Sequence, residues 1–118
     1  MITVYGIRNC DTCRKAMKWL VAEGLPYRYH DLRADGLPAS ALAEWIAALG
    51  WERLLNRRGT TWRKLAEADR ADIDRARATT LMQANPTLVK RPVFAFRNGF
   101  AVGFTDAERA TLRAAADR

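Results

Sequence analysis

The 118-residue sequence holds one histidine and two cysteines. A structural zinc site takes four ligands of this kind, so one chain alone cannot complete it and no metal is expected. With only two cysteines, a framework of several disulfides is excluded as well. No apolar run reaches the ~20 residues that span a bilayer, and the first residues lack the basic-then-apolar layout of a secretory signal. No membrane association is therefore expected, and the cytoplasm is the expected compartment. Internal repeats, Pro/Gly/Ser-rich linkers and low-complexity tracts are missing too, which predicts a single domain over residues 1–118. Acidic residues are the scarcer charge, 13 Asp+Glu against 20 Lys+Arg, for a net charge of +7. That balance suits anionic partners. The basic residues form no run and no aromatic-interleaved stripe, so direct contact with nucleic acid is not expected.

What the sequence does contain is concentrated in Tyr5-Gly6-Ile7-Arg8-Asn9-Cys10-Asp11-Thr12-Cys13-Arg14. Both cysteines fall at the junction between an apolar run, residues 2–5, and a helical pattern over residues 12–23. Free backbone N–H groups of the first turn and the positive end of the helix dipole favour a thiolate at such a junction. Cys10 stands just ahead of the turn, with Arg8, Arg14 and Lys15 as cationic neighbours. Cys13 opens the apolar stripe Cys13, Met17, Leu20, with Ala16 and Val21 beside it, so its side chain is predicted to face the core. An outward, activated Cys10 and an inward Cys13 form the attacking and resolving pair of a redox C-x-x-C. Two inert buried cysteines are the competing reading. The position after a strand and at a helix start favours reactive chemistry over it.

Gly24 and Pro26 stop the first helix, and residues 27–32 read as a second strand by their aromatic content. Strand, helix, strand at this spacing is a βαβ unit. His30 lies on the second strand, where a histidine is more often packed or exposed than catalytic. A helical insertion is predicted over residues 38–84. It comprises a helix after Pro38 with Leu42, Trp45, Ile46 and Leu49 on one face, and a turn of helix at 51–55. A polar loop with Arg57 and Arg58 follows, then a segment at 62–66 and a longer helix over 69–84. Strands at 93–96 and 100–104 flank Asn98-Gly99, a strong hairpin signal. Thr105-Asp106-Ala107-Glu108 reads as a capping box opening a final helix with Ala110, Leu112 and Ala116 inward. The expected fold is α/β: a four-stranded mixed sheet with flanking helices in the thioredoxin layout, with the helical insertion between its halves. In that layout Lys90-Arg91-Pro92 lies opposite the first helix's N-terminus. An X-Pro bond is cis only about 5% of the time in folded proteins, so proline alone does not predict a cis bond at Pro92.

Three separated motifs carry a resemblance: residues 5–16, Arg58-Gly59-Thr60-Thr61-Trp62-Arg63-Lys64-Leu65, and Lys90-Arg91-Pro92. Together they resemble the arsenate reductase (ArsC)/Spx-like family of thioredoxin-fold proteins, especially its YffB-like branch, over essentially the whole chain. The resemblance implies that Cys10 is the catalytic cysteine of a thiol oxidoreductase, one that forms a mixed disulfide with glutathione. It implies glutathione as co-substrate with no bound cofactor, and glutaredoxin as a further partner. It implies that Arg91 is the arginine preceding a cis-proline, Pro92, and that Arg57 or Arg58 contacts an oxyanion; Arg8, as a cationic neighbour of Cys10, and Pro92 are also expected to line the substrate site. The reductases that act on arsenate carry a further arginine after the last strand, where this chain has Val102-Gly103-Phe104-Thr105, so the match does not extend to arsenate as the substrate. Cys13 is a second departure: the glutathione-coupled reductases lack a cysteine there, whereas Spx-type regulators have one. The alternative implied is therefore a redox-sensing regulator that binds RNA polymerase through a Cys10–Cys13 disulfide switch.

Overall fold

The computed structural model describes residues 1–116. Strand β1 (Ile2–Gly6) runs into helix α1 (Asp11–Ala22), which returns to β2 (Tyr27–Asp31). The chain then passes through α2 (Ala39–Leu49), α3 (Trp51–Leu54), α4 (Thr60–Lys64), α5 (Glu67–Arg70) and α6 (Arg75–Ala84). A 3-10 turn at Pro86–Leu88 leads into β3 (Val93–Phe96), β4 (Gly99–Val102) and α7 (Asp106–Ala116). The four strands form one sheet in the order β2-β1-β3-β4, with β1 parallel to β2 and antiparallel to β3, and β3 antiparallel to β4. This is the thioredoxin-like mixed sheet, with helices α2 to α6 inserted between β2 and β3. Among the described residues, no helix is long and apolar enough to cross a membrane.

Strand alternation divides the core between the two faces of the sheet. Ile2, Val4, Phe94 and Ala101 point to the side covered by α1 and α7, where they meet Ala16, Leu20 and Leu112. Val93 and Val102 point to the other side and join Leu42, Trp45, Ile46, Leu54, Ala78 and Met82 of the insertion. The edge of Trp45 meets the Tyr5 ring, with centroids 4.7 Å apart, a geometry favoured by the ring quadrupoles. The insertion is thereby packed onto the sheet surface behind the β1–α1 junction.

The insertion departs from the sequence pattern in two places. The predicted helix over 69–84 is two helices, because Asp72 takes a left-handed backbone (φ 52°) and Asp74 caps α6, its Oδ1 accepting the Arg77 amide at 2.9 Å. A short acidic side chain both tolerates that backbone and supplies the acceptor a helix start needs. The loop predicted through residue 61 already turns helical at Thr60, after Gly59 at the cap position. On α1 the buried stripe is Cys13, Ala16 and Leu20, Met17 lies at its margin, and Val21 is exposed. In α7 only Leu112 is buried, while Ala110 and Ala116 face solvent. Glu108 Oε1 accepts both the amide and the hydroxyl of Thr105, each at 2.7 Å. The predicted capping box is thus half formed, with the hydroxyl donating to the carboxylate.

Candidate active site

Strand β1 ends at Gly6 and α1 starts at Asp11, so the intervening turn delivers Cys10 as the residue capping the helix, in extended conformation (φ −115°, ψ 116°). Its carbonyl accepts the Arg14 amide at 3.0 Å, the first turn of the helix. Both cysteines are free thiols, Cys10 half-buried and Cys13 fully buried. The depth of Cys13 depends on Gly6: a Cβ added there would lie 2.6 Å from the Cys13 Sγ. The sulfur therefore occupies the space that any larger residue at position 6 would fill. The pairing Tyr5↔Val93 between β1 and β3 places the residues just before Val93 beside the β1–α1 turn. There the Arg91-Pro92 bond is cis, as the resemblance implied, and Arg91 faces the cysteines.

The two sulfurs differ in charge state. Burial by itself would push the Cys10 pKa up, but the Cys13 amide, the Cys13 thiol and the hydrogen-bonding, positively charged Arg91 guanidinium outweigh it and hold the pKa below the ordinary thiol value. The sulfur makes no hydrogen bond of full capping geometry, yet the amide at the third helical position still favours its anion. Burial, together with the hydrogen bond to Cys10, pushes the Cys13 thiol up to about 12. A thiol whose pKa is lowered thus sits beside one whose pKa is raised.

Arg91 is itself held in place. Its Nη1 donates to the carbonyls of Thr87, at 2.7 Å, and Val89, at 3.1 Å. Its buried Nε has no partner among the described residues. The other cations are more dispersed than the sequence suggested. Arg14 pairs with Asp11 and donates to the Arg8 carbonyl, so it is not committed to Cys10. Arg8 is exposed and lines a depression with Asn9, Asp31, Arg33 and Ala34. Arg57 and Arg58 line a groove with Glu52, Leu55 and Lys90, next in sequence to Arg91. The Arg57 guanidinium stacks over Trp51 (5.5 Å) and Trp62 (5.8 Å), an arrangement that occupies its faces and leaves its edge donors free. His30 is packed against Tyr5, with Nε2 2.7 Å from the Gly36 carbonyl oxygen.

The sequence reading missed three supports of the site. Gly6 had a signal, a glycine where the strand pattern expects a side chain, one turn from an inward cysteine. Asp31, the one buried charged residue among those described, had none: its neighbours Arg33 and Ala34, whose amides donate to Oδ1 at 2.8 Å each, are brought round by the turn after β2. The Tyr29 hydroxyl donates to the Asp31 carboxylate at 3.1 Å. The Thr87 carbonyl that fixes Arg91 likewise depends on the 3-10 turn, which local pattern does not announce.

Comparisons with known proteins find relatives of the whole fold. Residues 5–112 match the ArsC family. A protein of Haemophilus influenzae without an assigned function is 43% identical over 108 residues, covering 92% of this chain and 95% of its own. The solved structure of a YFFB protein superimposes with a TM-score of 0.90 at 43% identity, covering 98% of this chain and 99% of that one. The global transcriptional regulator Spx of Listeria innocua is 27% identical over 110 residues, 92% of this chain and 83% of its own. With a matching family that spans the fold from β1 to α7 and includes both cysteines and Arg91, this chain belongs to the ArsC family.

Proposed function

We propose that the protein is a cytoplasmic thiol oxidoreductase that uses glutathione as co-substrate. The observation that carries this reading is the asymmetry of the cysteine pair: Cys10 stands half-buried at the start of α1 with its pKa lowered, while Cys13 is fully buried with its pKa raised. In the proposed reaction the Cys10 thiolate attacks the glutathione sulfur of a mixed disulfide, forming a Cys10–glutathione disulfide and releasing the other thiol. A second glutathione thiolate then attacks the glutathione sulfur of that adduct, releases oxidised glutathione and restores the Cys10 thiolate. Cys13 offers a second exit: its sulfur attacks Cys10 Sγ, gives up its proton, forms the internal disulfide and expels glutathione, provided the two sulfurs reach bonding geometry. Arg91, with Arg57 or Arg58, supplies guanidinium forks for a carboxylate of the substrate, with Arg8 and Pro92 at the margins of the site. Glutaredoxin is a candidate partner in recycling. Arsenate is not proposed as the physiological substrate, because the segment Val102-Gly103-Phe104-Thr105 has no arginine.

One specific observation favours a second reading. The likeness to Spx of Listeria innocua, together with a cysteine at position 13, supports a redox-sensing regulator in which the Cys10–Cys13 disulfide controls binding to RNA polymerase. The deciding experiment pairs a turnover assay with a retention assay. Glutathione-dependent reduction of a small mixed disulfide, lost in Cys10→Ser, with no retention of RNA polymerase subunits, supports the enzyme. Redox-dependent retention without turnover supports the regulator.

A further inference from the structure

The motif Arg58-Gly59-Thr60-Thr61-Trp62 contains two threonines that the proposed chemistry leaves unused. Thr61, on the first turn of α4, has its Oγ1 2.7 Å from Thr87 Oγ1. Thr87 lies in the 3-10 turn at Pro86–Leu88, and its carbonyl accepts the shorter of the two hydrogen bonds from Arg91 Nη1. The same turn is fastened to the insertion along its length: the Asn56 amide donates to the Leu88 carbonyl at 2.7 Å, the Lys90 amide to the Leu54 carbonyl at 2.7 Å, and Leu55 and Val89 form a bridge. Those backbone links hold the segment from one side. The threonine pair is the side-chain tie at the end nearer α4, and it fixes the residue whose carbonyl aims Arg91.

We propose that Thr61 and Thr87 are positioning residues: their hydroxyl pair holds the 3-10 turn so that the Thr87 carbonyl orients the Arg91 guanidinium on the Cys10 sulfur. Two features of the structure make the orientation matter. Arg91 Nη1 is committed to two carbonyls and its buried Nε to no described partner, so its direction is set by few bonds. A guanidinium stabilises a thiolate most where its N–H donors reach the sulfur, and a small rotation forfeits the hydrogen bond while leaving the charge nearby. The inference rests on the proposed role of Cys10 as a thiolate and adds α4 to the apparatus that sustains it.

The test reads the rate of Cys10 alkylation by iodoacetamide across pH in the full-length protein, where the thiolate is the reacting species. Thr61→Val keeps the shape and removes the hydroxyl; it is expected to slow alkylation below neutral pH by about 5-fold, the scale of one ordinary hydrogen bond. The rate above pH 9.5 is expected to be unchanged, since there Cys10 is ionised in both proteins. Thr61→Ser restores the wild-type profile. Thr87→Val, which removes the other half of the same bond, gives an independent repeat should Thr61→Val fold poorly. In an Arg91→Ala background, Thr61→Val should have no further effect. Superimposable wild-type and Thr61→Val profiles, or effects of Thr61→Val and Arg91→Ala that simply add, would overturn the assignment. A wild-type profile that shows no lowered Cys10 pKa would instead remove the thiolate reading on which it stands.

Discussion

Replacing Cys13 by alanine should change how the protein responds to alkaline pH, by an amount set by its burial. The unfolded chain gives up the Cys13 proton near the ordinary value of 9.0, whereas the folded chain keeps it to about 12. The folded state binds the extra proton throughout that window, so stability falls as pH rises through it, by about 1.4 kcal/mol per unit. Between pH 9 and pH 11 the wild type should lose roughly 2 kcal/mol relative to Cys13→Ala. Cys10 acts with the opposite sign, its lowered pKa adding stability as pH approaches 9.0 from below, and well above that point its contribution no longer changes with pH in either protein. Tyr29, pushed up to about 12 by burial and by its hydrogen bond to Asp31, also weakens both proteins as pH rises past its ordinary value. At pH 8 the variant should be the less stable, by about 1 kcal/mol for the lost sulfur contacts, and the two profiles should cross near about pH 10. Urea unfolding at 25 °C from pH 8 to 11 with a reductant present measures this. Parallel profiles would refute the burial of Cys13 as an obligate thiol.

Gly6→Ala should destabilise the protein by about 1–3 kcal/mol, the usual cost of overpacking, because its Cβ meets the Cys13 Sγ at 2.6 Å; most of that loss should vanish in a Cys13→Ala background, as a double-mutant cycle in urea would show. Arg91→Ala should raise the Cys10 pKa, read as thiolate absorbance against pH, while Arg91→Lys keeps the charge and loses the fork, sparing the pKa more than the affinity for an anionic substrate. The Asp31 carboxylate is held below its ordinary 3.8 first by the Ala34 amide, with the Arg33 amide and the Tyr29 hydroxyl assisting against burial. Its stabilisation is therefore complete above that value and drains as pH falls through the folded pKa, so Asp31→Asn should lower stability at pH 7 and flatten the acid limb of the stability profile.

The succession of strands and helices and the position of the cysteine pair were legible because both rest on local pattern. Gly24 and Pro26 closed the first helix, Asn98-Gly99 marked the hairpin between β3 and β4, although its two turn residues are Arg97 and Asn98 and Gly99 already pairs with Phe96, and the stripe from Cys13 put one sulfur inward. The break between α5 and α6 was not legible, since no glycine or proline marks residues 71–74 and only the Asp72 backbone and the Asp74 cap reveal it. The cis bond before Pro92 came from family resemblance, because the residues themselves do not decide it. The cations divided likewise. The i, i+3 spacing of Asp11 and Arg14 permits their ion pair, but nothing in the spacing says that Arg57 stacks on two indoles or that Arg91 is the arginine that faces Cys10. The last of these depends on contacts between segments far apart in the chain, as does the support that Thr61 lends across 26 residues to Thr87.

The division of labour between the cysteines is tested most directly by intact-mass spectrometry after brief exposure to oxidised glutathione near neutral pH. The account predicts that Cys13→Ser accumulates one glutathione adduct on Cys10, that Cys10→Ser stays unmodified, and that the wild type passes through the adduct to an internal disulfide, two hydrogens lighter than the reduced chain. An adduct on Cys13, or a Cys10→Ser protein that reacts as fast as the wild type, would contradict it.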